Sequence, residues 1–148
     1  MHNTNYRKYN VDDFDPAQFY DHHEEELTPS SGPDESLVRQ YLESNQLLEA
    51  LKSALLSPPN VHSEQNIKTR STLLVTQVLH LFKSSDIEGA VQKLSIDEGD
   101  ILMKYIYKGM QMCSDAPSCQ SLLQWHCQLV AKFGYGAIVR VMTDRQRF

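Results

Sequence analysis

The chain has 148 residues, of which 41% are hydrophobic and 22% are charged, and its formal net charge is −5. These values are typical of a globular domain with a sizeable core and argue against a wholly disordered protein. No apolar run reaches the roughly eighteen residues needed to cross a bilayer, so we expect no membrane span.

The charge is unevenly distributed along the chain. Residues 1–35 hold two basic and nine acidic side chains, whereas residues 36–148 hold twelve basic and ten acidic ones. A small positive excess over the longer part does not form the dense basic stripe that phosphate backbones require, so we expect no nucleic acid partner. Met1–Lys8 lacks the apolar centre of a signal peptide, and an odd number of cysteines argues against a disulfide framework. We therefore expect reduced, buried or half-buried thiols and a cytoplasmic or nuclear protein.

Residues 1–33 are predicted to form an extended or disordered arm. They show no helical apolar period, and three prolines interrupt them. Aromatic and apolar residues nevertheless alternate with aspartates, which suits a segment that fills pockets on a partner while its charges stay hydrated. The candidate anchors are Tyr9, Val11, Phe14 and Phe19. The alternative is an arm that packs on its own domain or has no role.

From residue 34 to residue 148 the pattern predicts an all-α domain of about seven short helices. Asp34 and Asn45 are candidate N-caps of the first two helices, and Pro58-Pro59 ends the second. A longer helix is predicted over about 63–83. The helices could stack as an α-α superhelix or as a compact bundle.

Helix boundaries in the second half carry more specific signals. Capping boxes are predicted at Ser85 with Glu88 and at Ser95 with Glu98. Ser114 or Asp115, followed by Pro117, should begin the next helix, and Gly134 should end it in a left-handed cap. The last helix should carry Ala137, Ile138, Val141 and Met142, although a short strand could compete there.

Sequence motifs of catalysis and of metal or cofactor binding are missing, so we expect no catalytic, metal-binding or cofactor-binding residues. Gly134-Tyr135-Gly136 follows a helix rather than a strand and has no nearby lysine in Walker spacing, which favours a helix end over a phosphate loop. His126 and Cys127 are neighbours that project about 100° apart on a helix and cannot easily serve one ion. One enzymatic alternative stays open, in which Cys127 acts with a distant histidine.

Four residues of the helical part are candidate contacts for a partner: Lys104, Tyr107, Lys108 and Arg140. Tyr105 and Tyr107 are two residues apart on one predicted helix, so only one of them can face the core of the domain. The other should face outward between lysines. Such a tyrosine suits an acidic partner surface, and an ordinary solvated face is the alternative.

Several blocks of the sequence resemble those of a known family. The blocks are Asp86–Leu94, Leu102–Gly109, Leu122–His126 and Ile138–Val141, with a fainter likeness at Tyr6–Lys8 and Val11–Asp15. In order and spacing they are similar to the family of subunit 5, the smallest subunit, of the actin-related protein 2/3 complex. The likeness covers about residue 33 to the C-terminus.

The resemblance implies a non-catalytic, α-α superhelical subunit of a seven-subunit assembly that nucleates branched actin filaments in the cytoplasm, at the cortex and in cell projections. It also implies that the body packs against subunit 4 and the β-propeller subunit 1, while the arm tethers actin-related protein 2. Contact with actin filaments would come through the complex. A free-standing helical adaptor is the alternative.

Overall fold

The structure is a computed structural model that describes residues 31–60 and 63–144. Within these ranges the chain forms seven α-helices and no strand, which confirms the all-α prediction. The helices are α1 (Glu35–Glu43), α2 (Leu47–Leu56), α3 (Gln65–His80), α4 (Ser84–Gln92), α5 (Ile96–Met112), α6 (Ala116–Phe133) and α7 (Tyr135–Thr143). The segment over 137–142, where a strand could have competed, is helical.

Successive helices pack on one another at α1–α2, α2–α3, α5–α6 and α6–α7, as expected of an α-α superhelix. Further contacts join α5 to α2, α3 and α7, and α4 to α6, so that α5 lies among four other helices. This explains why α5 buries residues on most of its turns, among them Leu102, Tyr105 and Ile106, none of which has any exposed side-chain surface. No helix in the described ranges is long and apolar enough to span a membrane.

The turn between α1 and α2 differs from its prediction. The carboxylate of Asp34 accepts hydrogen bonds from the backbone of Ser36 and Leu37, so the first predicted cap is confirmed. Asn45, however, does not cap α2. It has a φ of 57° and follows the last turn of α1, where its own N–H donates to Leu42 and that of Gln46 donates to Tyr41. Asn45 therefore ends one helix in a Schellman motif, a place that tolerates a left-handed asparagine.

One of the two predicted capping boxes is present. Ser95 Oγ accepts from the N–H of Glu98, and the Glu98 carboxylate accepts from the N–H of Ser95 at 2.7 Å. The other box is wrong, because α4 begins at Ser84 with Lys83 as its N-cap, and Ser85 lies inside the helix with its hydroxyl on Asp86. An S-x-x-E spacing marks a helix start only where the serine itself lies outside the helix.

Gly134 alone joins α6 to α7. Asp115 caps the start of α6 by accepting from the N–H of Ser118, as predicted, and Pro117 lies in its first turn. At the other end Gly134 has the predicted positive φ, 71°, and its N–H donates to Val130. Its ψ of −178° is extended rather than helical, which turns the chain at once into α7.

Two long side chains fix α6 to the rest of the domain. The indole of Trp125 is fully buried, donates to the carbonyl of Leu79 and meets the Phe82 ring edge to face at 5.1 Å. The ammonium group of Lys132 lies 2.9, 3.0 and 2.6 Å from the carbonyl oxygens of Val91, Gln92 and Leu94. Lys132 thus donates to carbonyls at and just beyond the end of α4, of which that of Val91 also accepts from the N–H of Leu94.

Candidate partner-binding surface

Lys104 and Arg140 lie at the contact between α5 and α7, and both bind carboxylates of their own chain. The guanidinium of Arg140 makes two bonds to Asp100, at 2.6 and 2.9 Å, and these bonds raise the pKa of Arg140. Lys104 lies 2.5 Å from Asp144, with only 15% of its side chain exposed. Both residues therefore form ion pairs within the domain, and the partner contacts predicted for them stay predictions.

The two ion pairs also define how the helices run. Asp100 and Lys104 are one turn apart on α5, and Arg140 and Asp144 are separated by the same spacing at the end of α7. Since the earlier residues pair with each other and the later ones do likewise, α5 and α7 run in the same direction at this contact.

Tyr107 and Lys108 are less exposed than the sequence suggested. Tyr105 is the tyrosine that faces the core. Tyr107 is half-buried, not fully exposed. Its hydroxyl lies 3.1 Å from Nε2 of His126, and the two rings meet edge to face at 5.5 Å. Lys108 is half-buried and donates to Gln111 of the same helix at 3.1 Å.

A polar groove of about 790 Å³ lies between α1 and α3, beside Ser31 and Gly32. Glu35 lies within it and makes ion pairs with Arg39 and Arg70. The bond from Arg70 is the main reason that the pKa of Glu35 is lowered. The arm residues Tyr9, Val11, Phe14 and Phe19 lie outside the described ranges, so the partner contacts predicted for them stay predictions.

The three described thiols differ in exposure. Cys113 and Cys119 are half-buried with their sulfur atoms 2.6 Å apart, and the hydrogen bond to Cys113 raises the pKa of the Cys119 thiol. Cys127 is exposed, which corrects the expectation that all three thiols are buried or half-buried. Among residues 31–60 and 63–144, no three His, Cys, Asp or Glu side chains are grouped to hold a metal ion.

An apolar stripe on α7 escaped the sequence analysis. Tyr135, Val139 and Met142 are exposed by 79%, 58% and 56%, and their spacing puts them on one face of the helix. The opposite face, with Ala137, Ile138 and Val141, packs against the core. Met142 was predicted together with these inward residues, whereas the structure turns it outward. The signal was present in the sequence, because α7 is apolar on two sides where a surface helix needs only one.

Comparison with known families decides what kind of protein carries this surface. The family model described as the ARP2/3 complex 16 kDa subunit (p16-Arc) matches residues 5–148. The chain belongs to the p16-Arc family. The match covers the seven helices together with most of the arm, and the resemblance in the sequence blocks is thereby confirmed.

Curated members of the p16-Arc family match the chain over nearly its whole length. The probable actin-related protein 2/3 complex subunit 5 of Caenorhabditis elegans is 59% identical over 147 residues, which is 99% of each chain. Subunit 5-C of Xenopus laevis is 42% identical, covering 95% of this chain and 93% of the relative. The human subunit 5-like protein is 40% identical, covering 97% and 94%.

Proposed function

We propose that this chain is a non-catalytic structural subunit of the actin-related protein 2/3 complex and supports the nucleation and branching of actin filaments. Its helical body docks on other subunits, with subunit 4 and the β-propeller subunit 1 as the expected partners. Its N-terminal arm tethers actin-related protein 2. It works in the cytoplasm as part of the actin cytoskeleton, and it meets filaments through the complex.

The observation that carries this proposal is the full-length likeness to subunit 5 proteins, at up to 59% identity among the relatives above. The likeness extends into the arm, since the family match begins at residue 5. A tether adds no chemistry. It raises the local concentration of its partner to roughly the millimolar range, which favours docking of an otherwise weakly held protein.

The arm hypothesis is tested by deleting residues 1–31 and reconstituting the complex. We expect the truncated chain to co-purify with the other subunits, because the seven helices remain, while branch nucleation falls by about tenfold as the local concentration is lost. A full-length control in which Tyr9, Val11, Phe14 and Phe19 are changed to serine should behave like the deletion. Normal nucleation by the truncated complex would show that the arm is not a tether.

The enzymatic alternative makes a different prediction about the thiols. A catalytic Cys127 would react with an alkylating reagent much faster than Cys113 and Cys119, because the reactive species is the thiolate. We expect slow alkylation at all three cysteines, with Cys127 ahead of the other two only by its greater exposure. Mass spectrometry of peptides from the alkylated chain measures the rate at each site. The adaptor alternative is tested by affinity purification, since a free-standing adaptor would bring down no subunit of the complex.

A further inference from the structure

Two cysteines face each other across the connection between α5 and α6. Cys113 follows the last residue of α5, and Cys119 lies near the start of α6. Their sulfur atoms are 2.6 Å apart, and the thiol of Cys119 donates a hydrogen bond to that of Cys113. A disulfide bond is about 2.05 Å long, so only a small approach of the two sulfur atoms separates this contact from a covalent bond.

Asp115 holds the two thiols in this arrangement. Its backbone carbonyl accepts a hydrogen bond from the thiol of Cys113 and another from the N–H of Cys119, in both cases at 3.2 Å. Its carboxylate accepts from the N–H of Ser118 and so fixes the first turn of α6. Because one residue orients both cysteines, their sulfur atoms are already placed for reaction with each other once the domain has folded.

A small oxidant can reach these thiols. Residues 114–117, between the two cysteines, are exposed, and both cysteines are half-buried rather than enclosed. Cys113 also lines a cavity of about 250 Å³ between α3 and the α5–α6 connection. A molecule little larger than water, such as hydrogen peroxide, therefore has access to the sulfur of Cys113.

Cys127 is the most exposed of the three cysteines, but it has no thiol within reach along α6. It lies eight residues after Cys119 on the same helix. That spacing corresponds to about 12 Å along the helix axis, since each residue rises by about 1.5 Å. Cysteines whose Cα atoms are more than about 7 Å apart cannot be bridged unless the backbone moves. Within one chain, Cys119 can therefore pair only with Cys113.

We propose that Cys113 and Cys119 form a reversible disulfide within the chain when it meets hydrogen peroxide. The peroxide oxidises the Cys113 thiol to a sulfenic acid, and one molecule of water is released. The Cys119 thiol then attacks the sulfenic sulfur, which forms the S–S bond and releases a second molecule of water. The two thiols together lose two electrons and two protons, and the peroxide takes up both.

The disulfide closes a short ring over residues 113–119 and ties the end of α5 to the start of α6. Closing a ring reduces the conformational freedom of the unfolded chain, so the oxidised domain should be more stable than the reduced one. The exposed turn leaves the bond open to attack by small thiols such as glutathione, which makes it labile rather than permanent. The inference rests on the thiols alone and does not depend on the proposed function.

The test is to treat the reduced full-length chain with hydrogen peroxide and then to block the free thiols with an alkylating reagent. We expect the treated chain to lose the mass of two hydrogen atoms and to take up one alkyl group, at Cys127, whereas the untreated chain takes up three. Excess reduced glutathione should restore all three thiols. Mass spectrometry of the intact chain and of its peptides measures these changes.

Variants separate the two cysteines from the third. Cys119→Ser should form no disulfide and should leave a sulfenic acid at Cys113, which dimedone traps. Cys127→Ser is the matched control and should form the disulfide at the wild-type rate. The oxidised wild type should melt about 5 °C or more above the reduced chain. Peroxide should not raise the melting temperature of Cys119→Ser.

Three alkylated cysteines after peroxide treatment of the folded wild type would overturn the proposal, as would a disulfide that includes Cys127 or a disulfide-linked dimer as the main product. An oxidised chain that melts no higher than the reduced one would contradict the placement of the thiols by the fold. A disulfide that persists in excess glutathione would overturn its reversibility. Circular dichroism shows whether each variant is folded, and the wild-type measurement, which needs no substitution, decides the outcome if a variant unfolds.

Discussion

Gly99 and Gly89 both lie inside helices, yet a methyl group added at each would meet different surroundings. At Gly99 it would come within 2.5 Å of the Phe133 ring, whereas at Gly89 nothing lies within 4 Å. Alanine favours a helix over glycine by about 0.5–1 kcal/mol. At Gly99 this gain competes with the cost of displacing an aromatic ring held between α5 and α6.

The two alanine variants are therefore expected to change stability in opposite directions. Gly89→Ala should raise the free energy of unfolding by about 0.5–1 kcal/mol, and Gly99→Ala should lower it by about 1–2 kcal/mol. Urea denaturation followed by circular dichroism measures both. Equal stabilisation by the two variants would mean that Phe133 moves aside at no cost.

Residues that serve two helices at once were the hardest to predict. Tyr107 was expected outside because Tyr105 takes the core position, but a hydroxyl can be half-buried where a neighbouring helix offers a partner such as His126. The same holds for Lys132, whose role at the end of α4 depends on carbonyls about forty residues earlier in the sequence. Helical periodicity shows which face of a helix is apolar, but it does not show which residues of a neighbouring helix lie beside that face.

At the scale of single helices, the two S-x-x-E motifs offer a direct test of what a cap contributes. Ser95→Ala should lower the free energy of unfolding by about 1 kcal/mol, because it removes the acceptor for the N–H of Glu98. Ser85→Ala is the matched control. Its serine lies inside α4, so the change should be within a few tenths of a kcal/mol. Thermal unfolding measures the loss of stability in both variants. Equal losses would contradict the structure.

The cap at Asp115 should make the stability of α6 depend on pH. Hydrogen bonds from Ser118 hold the pKa of Asp115 below its ordinary value of 3.8. A carboxyl with a lowered pKa in the folded state stabilises the fold above its ordinary value, and this stabilisation is lost as the pH falls through the folded value. The destabilisation caused by Asp115→Ala should therefore be larger at pH 7 than at about pH 2.5.

The measurement is the difference in melting temperature between wild type and Asp115→Ala at the two pH values. Asp115→Asn serves as control, because its amide oxygen can cap the helix but does not titrate. The difference between the asparagine and alanine variants should stay constant. A wild-type difference that is independent of pH would show that the carboxylate charge adds nothing to the cap.

Local signals predicted most helix ends, and the failure at Asn45 has a structural cause. Asp34, Ser95 and Asp115 cap helices as expected because a side-chain acceptor next to the first free N–H groups acts over two or three residues. Asn45 has the same side-chain chemistry, but it lies between two helices. It adopts a left-handed conformation that ends α1 and does not cap the start of α2. The choice between two adjacent uses depends on the packing of α1 on α2, which no local pattern encodes.

Trp125 connects three parts of the whole molecule, since α6 carries it, α3 supplies its acceptor and Phe82, between α3 and α4, packs on its ring. Its fluorescence should therefore report on the cooperative unfolding of the domain. We expect the urea transitions followed by fluorescence and by circular dichroism to coincide, as in a two-state domain. Transitions at different urea concentrations would mean that some helices unfold independently.

The variant Trp125→Phe removes the fluorescent side chain but keeps an aromatic ring at this site. It removes the bond to Leu79, whose carbonyl still accepts from the N–H of Phe82, and it puts a smaller ring in a fully buried site. It should therefore lower the free energy of unfolding by about 1 kcal/mol or more. The transition measured by circular dichroism should remain a single step.

The sequence predicted the class of the whole molecule better than its surface. Seven helices follow from repeated apolar stripes and caps, and the ordered sequence blocks point to the family. The character of the surface depends instead on which charged side chains form ion pairs within the domain. The sequence does not show that Arg140 and Lys104 pair with Asp100 and Asp144, and the partner contacts predicted for them stay predictions. Nor did the sequence analysis recognise the exposed stripe of Tyr135, Val139 and Met142.

The single-residue junction at Gly134 has a consequence for the thermodynamics of association. With one residue between α6 and α7, and two ion pairs holding α7 along α5, α7 would have little conformational freedom to lose in any association. Ordering of flexible segments is one of the main costs of binding, and here that cost is largely met during folding. A partner docking on α7 would therefore produce a heat-capacity change that reflects buried apolar area alone, without the larger change that accompanies coupled folding.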